Sequence, residues 1–147
     1  MKFLAFLSVL FFIRSAEVNP TSDQIIGRWM SEQKDLAVEV YKVNDHYAGK
    51  VVWFDCSRPG TPPMAKHFDT ENPNPKLRNR PWLGMNVLND LRFNGSDEWN
   101  SGTVYDPNSG RTYRTVVRMA SPKSIIVRGY WGVEFLGKNM RFNKVSN

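Results

Sequence analysis

Apolar and polar residues alternate along most of this chain, and turn-forming residues interrupt the alternation at regular intervals. The clearest stretch is 98–132. Residues 98–105 are rich in aromatic and β-branched side chains, and Asp106-Pro107-Asn108-Ser109-Gly110 then supplies a proline pre-set for a turn and a glycine free to take positive φ. Residues 111–119 return, Ser121-Pro122-Lys123 turns the chain again, and 124–131 runs on to Gly132. Such a meander predicts an antiparallel sheet. Upstream, Val38 and Val40 alternate with Glu39 and Tyr41 within 37–43, Asn44-Asp45 supplies a turn, and 47–54 returns as a denser apolar strand. Further strands are predicted over 25–31, 85–93 and 140–145.

Eight antiparallel strands in succession predict an all-β fold, a single up-and-down barrel whose closure removes exposed edges and whose interior can hold one small ligand. The alternative is a two-sheet sandwich, for which only 55–84 is long enough to serve as a crossover. That segment holds prolines at 59, 62, 63, 73, 75 and 81, which no strand tolerates. It reads as a long Pro-rich loop between strands 3 and 4, with one helical turn around 75–79.

The N-terminus follows a different pattern. A basic Met1-Lys2 start precedes an unbroken apolar run over 3–13, the layout of a secretory signal peptide with cleavage near Ala16. No later segment approaches the length of a membrane-spanning helix, so the expected mature chain, residues 17–147, is one exported domain in the periplasm or medium. Losing Lys2 and Arg14 takes the formal charge from +6 to +4, and the remaining Lys and Arg residues are interspersed with acids. That dispersal reads as a solvated surface and argues against a nucleic-acid partner. Cys56 is the only cysteine, so an internal disulfide is excluded; it is either a buried small hydrophobe or a free thiol.

Catalytic and cofactor chemistry finds little support. His46 and His67 are the only histidines and neither is spaced for a metal site, no nucleophile elbow is present, and no glycine loop cradles a phosphate. No cofactor, metal or catalytic residue is therefore expected, and the chain is read as a binding protein. Its expected partner is an apolar or amphipathic small molecule; the alternative is a protein-interaction module with a packed barrel. Tyr113, Thr115, Val117 and Met119 share the face assigned inward, and the same parity sets Trp53 beside Gly49 and Val51. Gly102 is a candidate bulge that re-aims Trp99 relative to Val104, while parity leaves the direction of Arg128 open. The candidate ligand contacts are Trp53, Arg78, Trp99, Tyr105, Tyr113 and Arg128. In the loop, Asp69, Asn72, Pro73, Arg80, Pro81 and Gly84 are assigned to structure, with Asp69 pairing an arginine to pin the loop. Pro81 biases Arg80 to an extended backbone, so Arg80 is assigned to that pair, and Arg78 to solvent or the mouth.

The blocks Gly27-Arg28-Trp29, Tyr47-Ala48-Gly49-Lys50-Val51-Val52-Trp53, Asp69-Thr70-Glu71-Asn72-Pro73-Asn74-Pro75-Lys76-Leu77-Arg78-Asn79-Arg80-Pro81, Trp99 with Gly102-Thr103-Val104-Tyr105-Asp106-Pro107, Gly110-Arg111-Thr112-Tyr113, and Val127-Arg128-Gly129-Tyr130 with Gly132 and Leu136-Gly137 follow one another along the chain. Together they resemble the bacterial exported proteins of domain of unknown function family 2147. The resemblance implies a lipocalin-like, calycin-like β-barrel and no established activity. It also implies that Trp29, two residues after Gly27, plugs one barrel end beneath a basic side chain from the last strand, Lys144 or Arg141. Family members often carry cysteines where this chain has residues 45–48 and Leu83, so no disulfide carries over. Phe142 and Lys144 replace the family's C-terminal tryptophan and arginine.

Overall fold

The computed structural model describes residues 20–134 and 137–146. Residues 1–16, read above as a signal peptide, lie outside the described residues. Eight antiparallel strands close into a barrel in sequence order: β1 (Gly27–Ser31), β2 (Leu36–Val43), β3 (His46–Phe54), β4 (Asn86–Phe93), β5 (Glu98–Asp106), β6 (Arg111–Ser121), β7 (Ser124–Tyr130) and β8 (Lys138–Lys144). Closure is made by β1 against β8, with Trp29 opposite Lys144 and Ser31 opposite Phe142. The expected barrel is therefore the fold, and the sandwich is set aside.

The turns form where the sequence is permissive. Asn44 adopts φ 54° in the β2–β3 turn, as asparagine tolerates the left-handed region. Gly110 sits at φ 70°, and a Cβ there would collide with the carbonyl of Glu71, so the β5–β6 hairpin rests directly on the long loop.

Register shifts interrupt the ladders between β2 and β3, β3 and β4, β5 and β6, and β6 and β7, and two of them re-aim residues that bear on the site. Between β2 and β3 the register slips at Ala37/Val38, so that Val38 faces Val51 while Ala37 faces Trp53. Val52 is the extra residue. In β5 the slip falls between Trp99 and Gly102, with Ser101 at φ 61°. The aromatic ring and the following strand thereby both face inward.

One continuous core lies inside the barrel, built from residues including Trp29, Val38, Val51, Phe54, Leu88, Leu91, Trp99, Val117, Ile125, Val127 and Phe142. At one end a single 3-10 turn, Ser22–Ile25, lies across the opening, with Thr21 and Gln24 forming a reciprocal cap. At the other end the connection between β3 and β4 folds over the rim, carrying two more 3-10 turns, Met64–Lys66 and Pro75–Leu77. Asn74 caps the second by accepting from the Lys76 amide, and Pro75 occupies its first turn.

Candidate functional site

The long loop is organised by a buried carboxylate. Asp69 is 0% exposed, and Oδ1 accepts from the Tyr105 hydroxyl at 2.6 Å while Oδ2 accepts from Asn72 Nδ2 at 2.8 Å and from an Arg80 guanidinium nitrogen at 2.9 Å. Burial pushes the Asp69 carboxyl up, yet the bonds from Tyr105, Asn72 and Arg80 outweigh it and hold the group below its ordinary 3.8. Burial first, and then the bond to Asp69, pushes the Tyr105 phenol up to about 12. The Arg80 guanidinium also lies 5.8 Å from the Tyr105 ring centroid. Asn72 extends the network by accepting the Asn74 amide through Oδ1, and its own carbonyl accepts Arg78 Nε at 2.8 Å. Arg80 thus holds the carboxylate, and Arg78 holds the backbone of the turn.

The loop's two arms form a short ladder. Phe68 bridges Pro81, the Asp69 amide donates to the Arg80 carbonyl, and the Trp82 amide donates to the His67 carbonyl. The Gly84 amide returns the chain to the barrel by donating to the Val51 carbonyl at 2.8 Å, with Gly84 at φ 82°. Beneath the ladder, His67, Trp82 and Phe54 form a three-ring cluster, with centroids 4.1 Å apart for His67 and Trp82 and 5.2 Å from each to Phe54. None of the three is among the ligand contacts expected from the sequence, where His67 is weighed as a metal ligand. Spacing within either arm carries no signal of this contact, which forms only when the two arms pair at Phe68 and Pro81.

The candidate ligand contacts do not assemble into one site. Trp53 is 37% exposed on the outside of the barrel; the Val52 bulge reverses the parity that placed it with Val51. Trp99 faces inward but is fully buried at the 3-10 end, where Nε1 donates to the Ser22 carbonyl at 2.9 Å and the ring packs on Phe93. It is a plug. Arg128 faces outward, because its neighbours Val127 and Gly129 take the interior positions; Nε donates to the Glu134 carbonyl and a terminal nitrogen to Asn139. With Arg118, Ile126, Glu134 and Asn139 it lines a shallow outer depression of ≈ 510 Å³. Tyr105 is committed to Asp69, and Arg78 lies exposed on the loop. Tyr113 alone of the six lines the inside of the loop end, half-buried opposite Val104, with the Trp131 ring edge-on at 6.1 Å.

At the plugged end, Trp29 is fully buried, its Nε1 donates to the Ile25 carbonyl at 2.8 Å, and Lys144 Nζ stands 5.2 Å from the ring centroid. Gly27 explains that approach, since a Cβ there would come within 3.0 Å of Lys144 Cε. Among the described residues, no group of three or more His, Cys, Asp or Glu is placed to hold a metal ion.

A solved structure described as protein HP1028 from the human pathogen Helicobacter pylori, which belongs to the lipocalin family, is similar to this chain with a TM-score of 0.72, at 24% identity and with 84% of each chain covered. That likeness is one of fold. No curated protein matches the sequence. The model of a family described as "Uncharacterized protein conserved in bacteria (DUF2147)" matches residues 27–144, which span every strand of the barrel, and the chain belongs to that family.

Proposed function

We propose that this is an exported small-molecule-binding protein, not an enzyme, that takes an apolar or amphipathic ligand at the loop end of the barrel. Export rests on the apolar N-terminal run of the sequence. Binding rests on a gradient of burial along the interior face. Phe142 is 5% exposed, whereas Met140, two residues nearer the loop end on the same face of β8, is 43% exposed. The same trend runs along β6, from buried Val117 and Thr115 to half-buried Tyr113, and its partner Val104 is likewise half-buried. The plugged half of the barrel is solid core, so the ligand is confined to the upper half and is correspondingly small.

Titration with the neutral fluorophore N-phenyl-1-naphthylamine and with decanoate tests this, alongside native mass spectrometry of gently purified protein. Saturable binding is expected, weakened about tenfold by Met140→Arg, or ~1.4 kcal/mol, with the melting temperature nearly unchanged. Failure of both probes to bind, with only the apo mass in the native spectrum, overturns the proposal.

A second reading, a protein-interaction module of the envelope or medium, rests on Trp131, 73% exposed, beside exposed Val133. Crosslinking in the native compartment that recovers one partner from wild type, and loses it in Trp131→Ser, supports that reading over the first.

A further inference from the structure

Among the described residues, three buried side-chain polar atoms have no hydrogen-bond partner: Nδ1 of His67, Nε of Arg80 and Nε1 of Trp82. All three belong to the ladder at the base of the long loop. Alternation about the Phe68–Pro81 bridge puts residues 67, 69, 80 and 82 on one face and Phe68 and Pro81 on the other. Exposed Phe68 identifies the outer face. The inner face lies against the barrel, where His67 and Trp82 pack on Phe54 and Asp69 is held by Tyr105.

The chemistry of the three atoms is restrictive. An indole N–H and a guanidinium Nε–H only donate, and an imidazole nitrogen can donate as well. Buried donors left unpaired carry a desolvation cost, and the cost is avoided elsewhere in this chain: the buried indoles of Trp29 and Trp99 both reach carbonyls. The charge of Arg80 is already met by Asp69, so the missing group is an acceptor that need not bring a full negative charge. An oxygen with lone pairs and no proton to offer fits. The Arg80 side chain is 36% exposed, so the rim of this face reaches solvent.

We propose that the inner face of the ladder is the polar end of the ligand site, with Trp82 Nε1 and Arg80 Nε, and His67 beside them, receiving the carbonyl oxygen of an acyl amphiphile. The apolar chain of that ligand runs over Phe54 toward Val104 and Tyr113. This assignment deepens the small-molecule reading above and rests on it. Free acid and ester share the acceptor oxygen, and the two are separated by experiment.

Three probes are titrated into wild type and Trp82→Phe: decanoate, methyl decanoate and N-phenyl-1-naphthylamine. The variant keeps a ring and deletes only the unpaired donor and one ring's bulk. The expected result is about a tenfold loss of affinity for decanoate, alone or together with methyl decanoate, with the fluorophore bound as before and the melting temperature nearly unchanged. Loss with decanoate alone assigns a free acid, and loss with both assigns an acyl carbonyl; either supports the site. In the wild type, an indole N–H resonance that shifts on adding the affected probe and is missing from Trp82→Phe provides an independent readout. If the fluorophore and decanoate bind wild type but neither acyl affinity changes in Trp82→Phe, the donors are served by water alone and this inference falls while the small-molecule reading stands. If no probe binds wild type, both fall together.

Discussion

The two ends of the barrel are both closed by aromatic rings, but they treat polar atoms in opposite ways. At the 3-10 end, Trp29, Trp99 and Tyr47 are buried and each polar tip finds a partner: the Ile25 carbonyl, the Ser22 carbonyl and the Asp23 carboxylate. At the loop end, Trp82 and His67 stack as closely, yet Nε1 of one and Nδ1 of the other are left unpaired. The first end is a finished plug. The second spends buried polar groups without a return in stability, a pattern expected where a site is shaped for something other than folding. The contrast separates two kinds of tryptophan that composition alone treats alike.

The largest test of that contrast is truncation. Trp99→Ala removes a fully buried indole and its bond to Ser22, and is expected to cost about 3–5 kcal/mol by chemical denaturation. Trp82→Ala, at a half-buried ring with no bond to lose, is expected to cost about 1–2 kcal/mol. Equal losses at the two sites would erase the distinction between plug and site.

Next come the arginines of the loop. Arg80→Ala leaves buried Asp69 with two neutral donors in place of a cation and two neutral donors, and is expected to cost about 1–3 kcal/mol. Arg78→Ala frees only the carbonyl of Asn72 on an exposed turn, for about 0.5–1 kcal/mol. Thermal melts rank the two; a larger loss for Arg78→Ala contradicts the network described here.

Much of this was legible in the chain. Eight strands follow from local signals, alternation and turn residues, because closure of an up-and-down barrel pairs each strand with its neighbour in sequence. The Asp69–Arg80 pair was legible for a similar reason: prolines confine the loop, and Arg80 before Pro81 is extended. Trp53 was not, since one extra residue at Val52 turns every later side chain of the strand over, and nothing in the local sequence marks it. Arg128 was not either, because alternation gives parity but no inside or outside until the neighbouring strands are in place. His67 and Trp82 meet only when the loop folds back on itself, a contact between residues far apart in sequence that periodicity within either arm does not announce.

Titration separates the ends by degree. The 3-10 end has a pair of the same kind, Asp23 lowered by its bonds from Tyr47 and Lys42 and Tyr47 raised by burial, but Asp23 is exposed where Asp69 is fully buried. Asp69 is held below 3.8 in the fold, so it adds stability above that pH, and this contribution is lost as pH falls through its lowered folded value, where the unfolded chain takes up its proton first. In the alkaline range the sign reverses. The unfolded chain's tyrosines ionise near 10 while Tyr105 holds its proton to about 12, so stability falls with rising pH between the two. Hydrogen exchange as a function of pH is expected to show the 67–84 segment opening ahead of the 3-10 end at both extremes. Simultaneous loss of protection at both ends would show that Asp69 and Tyr105 do not govern the loop separately.

The smallest effect is the most discriminating. Trp99→Phe and Trp82→Phe make the same chemical change, an indole replaced by a smaller ring without the N–H, in surroundings that differ in burial and in whether the N–H has a partner. At Trp99 the change strands the Ser22 carbonyl and leaves a gap beside Phe93, for a loss of about 1–3 kcal/mol. At Trp82 it deletes a donor with no partner, which recovers part of the desolvation cost and offsets the lost contact with Phe54. The expected change is therefore within about 0.5 kcal/mol of zero, and of either sign. Urea denaturation resolves the pair, because the difference between the variants exceeds the error of either. A loss at Trp82 as large as that at Trp99 would mean that its N–H has a partner in solution even without ligand, and the loop end would then be as finished a plug as the other.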